Sequence, residues 1–183
     1  GMNEMILRET TDSNIHQYAS NVEKAGKMLL SLVNDILDLS KIESGKMELV
    51  ENEYNLKQLL YDCYVMVSPR AEDKGLEFIV ENNEMLPGVL YGDELRIRQI
   101  IINLLTNAVK YTKKGNVTLH FDGKVTDDNL LQLEVSIKDT GIGVKEENIA
   151  TLFDAFQRAD LKKNKSIEGT GLGLAITKQL VQI

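Results

Sequence analysis

Between Asn14 and Glu43 the apolar residues Ile15, Tyr18, Val22, Ala25, Leu29, Leu32, Ile36 and Leu39 follow one another at spacings of three and four. This is the a/d pattern that seats a helix against helical partners. At 1.5 Å of rise per residue the helix is about 45 Å long, too long a rod to bury its stripe alone. Leu30, Val33 and Leu37 widen the stripe, which fits a bundle better than a two-helix zipper. Dimerisation through this face is the expectation, and packing on the chain's own globular domain is the alternative. Upstream, Met2 to Glu9 read as the end of another helix, and the polar residues Thr10 to Ser13 as a turn. Together they predict an antiparallel helical hairpin closed by Gly45.

The 183 residues, 43% of them apolar, suffice for one good core and one smaller element. Asp and Glu number 28 against 21 Lys and Arg, a formal charge of -7 that argues against a generally basic nucleic-acid surface. Cys63 is the only cysteine, so no internal disulfide framework and no thiolate-rich metal site is expected, and a reducing, cytoplasmic compartment is. No apolar run approaches the ~18 residues of a spanning helix. These residues are therefore expected to make no membrane contact, whatever tethers a longer protein.

After Gly45, Lys46 to Glu53 alternate imperfectly and are read as a short strand. Leu56 to Lys74 carry a helical face with Asn55 as N-cap, and Pro69 is expected to kink or divide that helix near Ser68. Leu76 to Glu81 read as a strand and Leu86-Pro87-Gly88 as a turn. Asp93 caps a strongly apolar helix through Leu95, Ile97, Ile100, Ile101, Leu104, Leu105 and Val109. Val117, Leu119 and Phe121, then Leu131, Leu133, Val135 and Ile137, alternate about an Asp127-Asp128-Asn129 turn and predict an antiparallel pair. A helical segment is expected from Lys145 toward Phe156, then a lysine-rich loop to Gly169 and a last helix from near Gly171. The sum is an α+β fold, a two-layer α/β sandwich with a mixed or antiparallel sheet, preceded by the long helix.

Three clusters carry chemistry. In the central helix Asn103, Asn107 and Lys110 are spaced by four and three, so they share one edge, with Tyr111 beside them. An amide oxygen can ligate Mg²⁺ and an ammonium can neutralise phosphate, although polar residues on a helix are commonly just solvated. Asp139-Thr140-Gly141-Ile142-Gly143 follows a strand. Its glycines permit close ligand approach and its carboxylate can accept from an exocyclic amine such as that of adenine, or the run is a plain turn. Gly169-Thr170-Gly171-Leu172-Gly173 passes into a helix and offers main-chain amides to phosphate. No Gly-x-x-x-x-Gly-Lys-Ser/Thr run occurs. Neither glycine cluster fits Gly-x-Gly-x-x-Gly, because residue 146 is Glu and residue 174 is Leu, which disfavours P-loop and Rossmann sites. Between the clusters, Phe153, Phe156 and Arg158 precede Lys162, Lys163 and Lys165, an aromatic pair and a basic run suited to covering phosphate.

In this order the clusters resemble the N box around Asn107, the G1 box from Asp139, the F box from Phe153 to Phe156 and the G2 box from Gly169. The stretch from Leu29 to Gly45 resembles the second dimerisation helix. The chain thus resembles a sensor histidine kinase of two-component signalling over nearly all its length, with the ATP-binding fold shared with the DNA gyrase B, Hsp90 and MutL group. The resemblance implies a dimerisation and histidine-phosphotransfer hairpin over residues 1–44 and a catalytic ATP-binding domain over 46–183. It implies ATP and Mg²⁺, with Asn107 on the metal, Asn103 supporting the metal and phosphate environment, Lys110 on phosphate and Tyr111 lining the pocket. Asp139 is implied to recognise the adenine amino group, and Gly141 and Gly143 to shape the pocket. Gly169, Thr170, Gly171, Leu172 and Gly173 are implied to form the hinge and phosphate-facing end of an ATP lid, anchored by Phe153 and Phe156. Arg158 matches a basic residue that in many such kinases reaches the γ-phosphate.

Related hydrolytic ATPases place glutamate four residues before the metal-binding asparagine. Asn103 stands there, which favours phosphoryl transfer to another group over hydrolysis. The resemblance implies a homodimer and a response-regulator receiver domain as partners. A nonenzymatic ATP-binding or dimerisation module and a hydrolytic ATPase are the alternatives. The acceptor histidine of such kinases precedes the residues matching Met2 to Glu9, and neither His16 nor His120 fits it, so these residues alone are expected not to autophosphorylate. The family also continues past the last helix into further strands, which are expected to be missing.

Overall fold

The computed structural model describes residues 1–83, 85–156 and 170–183. They form two compact units, Gly1–Met47 and Glu48–Ile183.

The first unit is the helical hairpin. Helix α1 (Met2–Glu9) leads through Thr10 to α2 (Ser13–Glu43), whose N-cap Asp12 accepts from the Asn14 and Ile15 amides at 2.8 and 3.2 Å. Asn3 Nδ2 donates to Ala19 O at 2.8 Å, and Ala19 is buried between the arms. Farther along α2 the predicted stripe stays exposed, with Leu29 63% and Ile36 48% accessible, as a face awaiting other helices must be.

The second unit starts with β1 (Asn52–Asn55), then α3 (Leu56–Glu72), β2 (Glu77–Asn82), β3 (Val89–Gly92), α4 (Glu94–Tyr111), β4 (Asn116–Val125), β5 (Leu131–Asp139), the single turn α5 (Glu146–Ile149) and α6 (Gly173–Val181). β1 and β3 form an antiparallel pair, while β2, β4 and β5 form a mixed sheet in that order. β2 runs parallel to β4 with Phe78 opposite Val117 and Val80 opposite Leu119. β5 runs antiparallel to β4 with Ile137 opposite Leu119 and Val135 opposite Phe121. Because strand side chains alternate, Val117, Leu119 and Phe121 all point to one face and are fully buried there with Leu59, Val67, Ile101 and Leu105 of α3 and α4. α6 packs on α4. The two-layer α+β reading with a mixed sheet describes this unit.

Three expectations are corrected. Lys46–Val50 form no strand, because among the described residues no strand pairs with them; the Val50 amide donates instead to Asp93 Oδ2 at 2.9 Å. The strand starts later, at Asn52, where Val89–Gly92 supplies a partner. Pro69 does not divide α3. It lies in the last turn, and the carbonyl that its missing N–H leaves free belongs to Val65, which faces solvent. The segment toward Phe156 stops being helical at Ile149 and continues as turns closed by Leu152 N to Ile149 O and Asp154 N to Thr151 O. Phe156, at φ +63°, has left the right-handed region altogether. The last helix begins at Gly173, two residues after Gly171.

Helices α3 and α4 are also joined by charge: Arg98 donates to Asp62 at 2.5 Å and to Glu94. Bonds from Gln58 and Arg98 hold the Asp62 carboxyl below its ordinary range. Beside it Cys63 is fully buried, and burial pushes its thiol up to about 11. Since the thiolate is the nucleophile, iodoacetamide at pH 8 is expected to leave Cys63 unmodified in the folded chain and to alkylate it readily in urea. Rapid native-state alkylation, read by mass spectrometry, is the contrary result.

Candidate functional site

The site is built along α4. Asp93, at its N-cap, uses one carboxylate oxygen for the Arg96 amide at 3.0 Å and the other for Val50. The helix buries Ile101, Leu105, Ala108 and Val109, at spacings of four, three and one. That choice turns Asn103, Asn107, Lys110 and Tyr111 away from the core, and all four are half-buried.

Two loops reach this edge at different heights. At the upper end, the Asp139 carboxylate accepts the Gly141 amide at 2.8 Å, and Ile142 N donates to Tyr111 O at 3.4 Å. Gly141 is pressed so closely on the helix end that a Cβ there would lie 2.7 Å from Tyr111 O, 2.7 Å from Asp139 Oδ1 and 3.0 Å from Thr112 Oγ1. Thr140 Oγ1 accepts the Asn116 amide at 3.0 Å and fixes the loop to β4. At the lower end, Asn103 Nδ2 donates to Gly173 O at 3.4 Å, and the Asn103 side chain lies against Gly173. Leu172 is fully buried, its amide donating to Thr170 Oγ1 at 3.1 Å; Phe156 N donates to Gly171 O at 3.0 Å. Asn103 and Tyr111 are eight residues apart, which on a helix is about 12 Å, with Asn107 midway. A carboxylate loop and a glycine-rich helix start are therefore held at opposite ends of one edge, with an amide side chain between them.

The structure brings together Asn103, Asn107, Lys110, Tyr111, Asp139, Gly141, Gly143, Thr170, Gly171, Leu172 and Gly173 on and around α4. The Lys110 ammonium rests 4.8 Å from the Tyr111 ring centroid, a cation–π contact. Phe153 is 38% and Phe156 66% exposed, so they join no core. Arg158, Gly169 and the lysines at 162, 163 and 165 lie outside the described residues. Sequence reasoning assigned no role to Thr112, whose buried hydroxyl has no hydrogen-bond partner among the described residues and lies beside Gly141. A threonine one residue past a helix has no local signal for that role. A cleft of about 720 Å³, lined by Tyr61, Tyr64, Asn82 and Pro87 among others, shares no residue with these motifs.

The model of the Histidine kinase-, DNA gyrase B-, and HSP90-like ATPase family matches residues 92–183, and the His Kinase A (phospho-acceptor) domain matches residues 1–45. The chain belongs to that ATPase family, among its sensor histidine kinases. It is 37% identical over 182 residues to the sensor protein GacS of Pseudomonas syringae pv. syringae, covering 100% of this chain and 20% of that protein. It is 35% identical over 181 residues to the signal transduction histidine-protein kinase BarA of Escherichia coli K12, covering 99% and 20%. The crystal structure of full-length ShkA in complex with AMPPNP is similar at a TM-score of 0.78 and 32% identity, covering 99% of this chain and 36% of that one. The chain thus spans about a fifth of the length of the curated relatives it matches.

Proposed function

We propose that this chain is the ATP-binding catalytic part, with its helical hairpin, of a histidine kinase in a two-component system. The supporting observation is the α4 edge, which meets the Asp139–Gly143 loop at Tyr111 and the glycine-rich start of α6 at Asn103, about 12 Å apart along the helix. ATP is the substrate. Asp139 would accept the adenine amino N–H, Gly141 and Gly143 would let the purine approach the main chain, and Tyr111 would line its side. Lys110 would leave the Tyr111 ring for phosphate, and Asn103, Thr170, Gly171, Leu172 and Gly173 would shape the phosphate end, with Phe153 and Phe156 at its margin.

The donor set suits Mg²⁺. Asn107 offers a hard amide oxygen from a half-buried position, and phosphate oxygens and water complete the shell of a cation that seldom uses an all-protein cage. When bound, Mg²⁺ would offset the phosphate charge and align the transfer.

In the reaction the bond from the γ-phosphorus to the β,γ-bridging oxygen breaks, a P–N bond to an imidazole forms, and ADP leaves. The acceptor is neither the exposed His16 on α2 nor His120, which stands 3.4 Å from Glu81 on the sheet. An aspartate on a response-regulator receiver would take the phosphoryl group next. The exposed apolar stripe of α2 supports a homodimer of the whole protein. Asn103, which cannot act as a general base, supports transfer over hydrolysis.

Incubating the chain with ATP, Mg²⁺ and a complete helical hairpin is expected to give acid-labile phosphohistidine on the hairpin. Inorganic phosphate released without any acceptor would favour a hydrolytic ATPase instead, and neither product would leave a binding module.

A further inference from the structure

A lysine ammonium has three hydrogens to donate and accepts none. Lys74, in the turn after α3, places Nζ 2.7 Å from Val109 O, 2.9 Å from Lys110 O and 3.4 Å from Thr112 O. These carbonyls end α4, where the helix itself supplies no donors and the main chain carries partial negative charge. The carbonyls on either side of Tyr111 thus go to Lys74, while that of Tyr111 receives Ile142 N from the Asp139–Gly143 loop. One turn of main chain joins the cation to the loop.

We propose that Lys74 is a positioning residue for the nucleotide site, acting through the last turn of α4 on Lys110, Tyr111 and the Asp139–Gly143 loop. Without the ammonium the terminal carbonyls lose their donors and the turn frays, and the tie between Tyr111 O and Ile142 N frays with it. Lys74 touches no substrate in this scheme. It fixes where the adenine end of the site stands relative to Asn107. The proposal rests on the kinase reading for its ligand, but the clamp itself is independent of it.

The test compares Lys74→Met, Lys74→Arg and, as a control on the exposed end of β4, Lys124→Met. Two readouts are taken: amide hydrogen exchange without nucleotide, and calorimetric titration with ATP and Mg²⁺. Lys74→Met is expected to speed exchange at Thr112 and Ile142 and to weaken ATP binding about three- to fivefold, the effect of an exposed charge at a helix end. Lys74→Arg should restore most of both, and Lys124→Met should change neither. Unchanged exchange at those two amides, or ATP affinity within about twofold of the parent, overturns the proposal. If Lys74→Met loosens the β4 amides as well, the arginine variant decides: restored binding supports the clamp and its absence overturns it. A parent chain that binds no ATP refutes the kinase reading, and the exchange comparison then decides the clamp alone.

Discussion

Asn107→Ala is expected to lower ATP-dependent phosphotransfer to a complete hairpin by at least about a hundredfold, the usual loss when one preorganised electrostatic contact to a reacting group is removed. The fold should survive, because Asn107 is half-buried and outside the core, with Ala108 and Val109 beside it carrying the packing. An alanine keeps or improves helix propensity at that position. The measurement is acid-labile phosphohistidine at saturating ATP, with thermal melting as the check on folding. Transfer within a few-fold of the parent would remove Asn107 from the metal site. A nonenzymatic module would show no transfer from either protein.

Gly141→Ala is expected to weaken ATP binding by about 10- to 100-fold. Its Cβ would stand 2.7 Å from both the Tyr111 main-chain carbonyl and the Asp139 carboxylate, closer than atoms pack, and the carbonyl belongs to the helix end and cannot swing aside. Overpacking of this kind costs about 1–3 kcal/mol and is relieved by the loop moving off the helix. The displaced group is Asp139, the proposed adenine contact. Gly143→Ala is the informative neighbour: a Cβ there meets nothing within 4 Å among the described residues, but φ is +65°. Its left-handed strain of about 1–2 kcal/mol is local, so ATP binding should fall less. Titration of the two variants checks the ranking, and the reverse order would contradict the tie between the loop and Tyr111.

What could be read from the sequence divides by the range of the cause. The long helix α2 and the central α4 carry their periodicity within themselves, and Asp93 marked the start of α4 correctly, whereas Asp12 was read only as part of a turn. The β4–β5 pair was legible because both strands alternate about a local turn, in which Asn129 adopts φ +59°. The first strand was misplaced because pairing, not pattern, decides it. Asn52 finds Gly92, forty residues away, whereas Lys46 to Val50 find none. Pro69 misled because the rule about proline concerns helix interiors, and only the last turn remains after it. Near the site, the residue types of the N, G1 and G2 boxes were visible in order, but their spatial relation was not. Lys74 finds its acceptors at residues 109 to 112, and Thr112 meets Gly141 only once β4 and β5 have brought the loop back.

The nucleotide site stands or falls on one comparison, amide hydrogen exchange of the chain with and without ATP and Mg²⁺. A shared site along α4 predicts protection in three separated stretches at once, Asn103–Thr112, Asp139–Gly143 and Thr170–Leu174. Protection in none of them, or confined to the cleft between Tyr61 and Pro87, would contradict it.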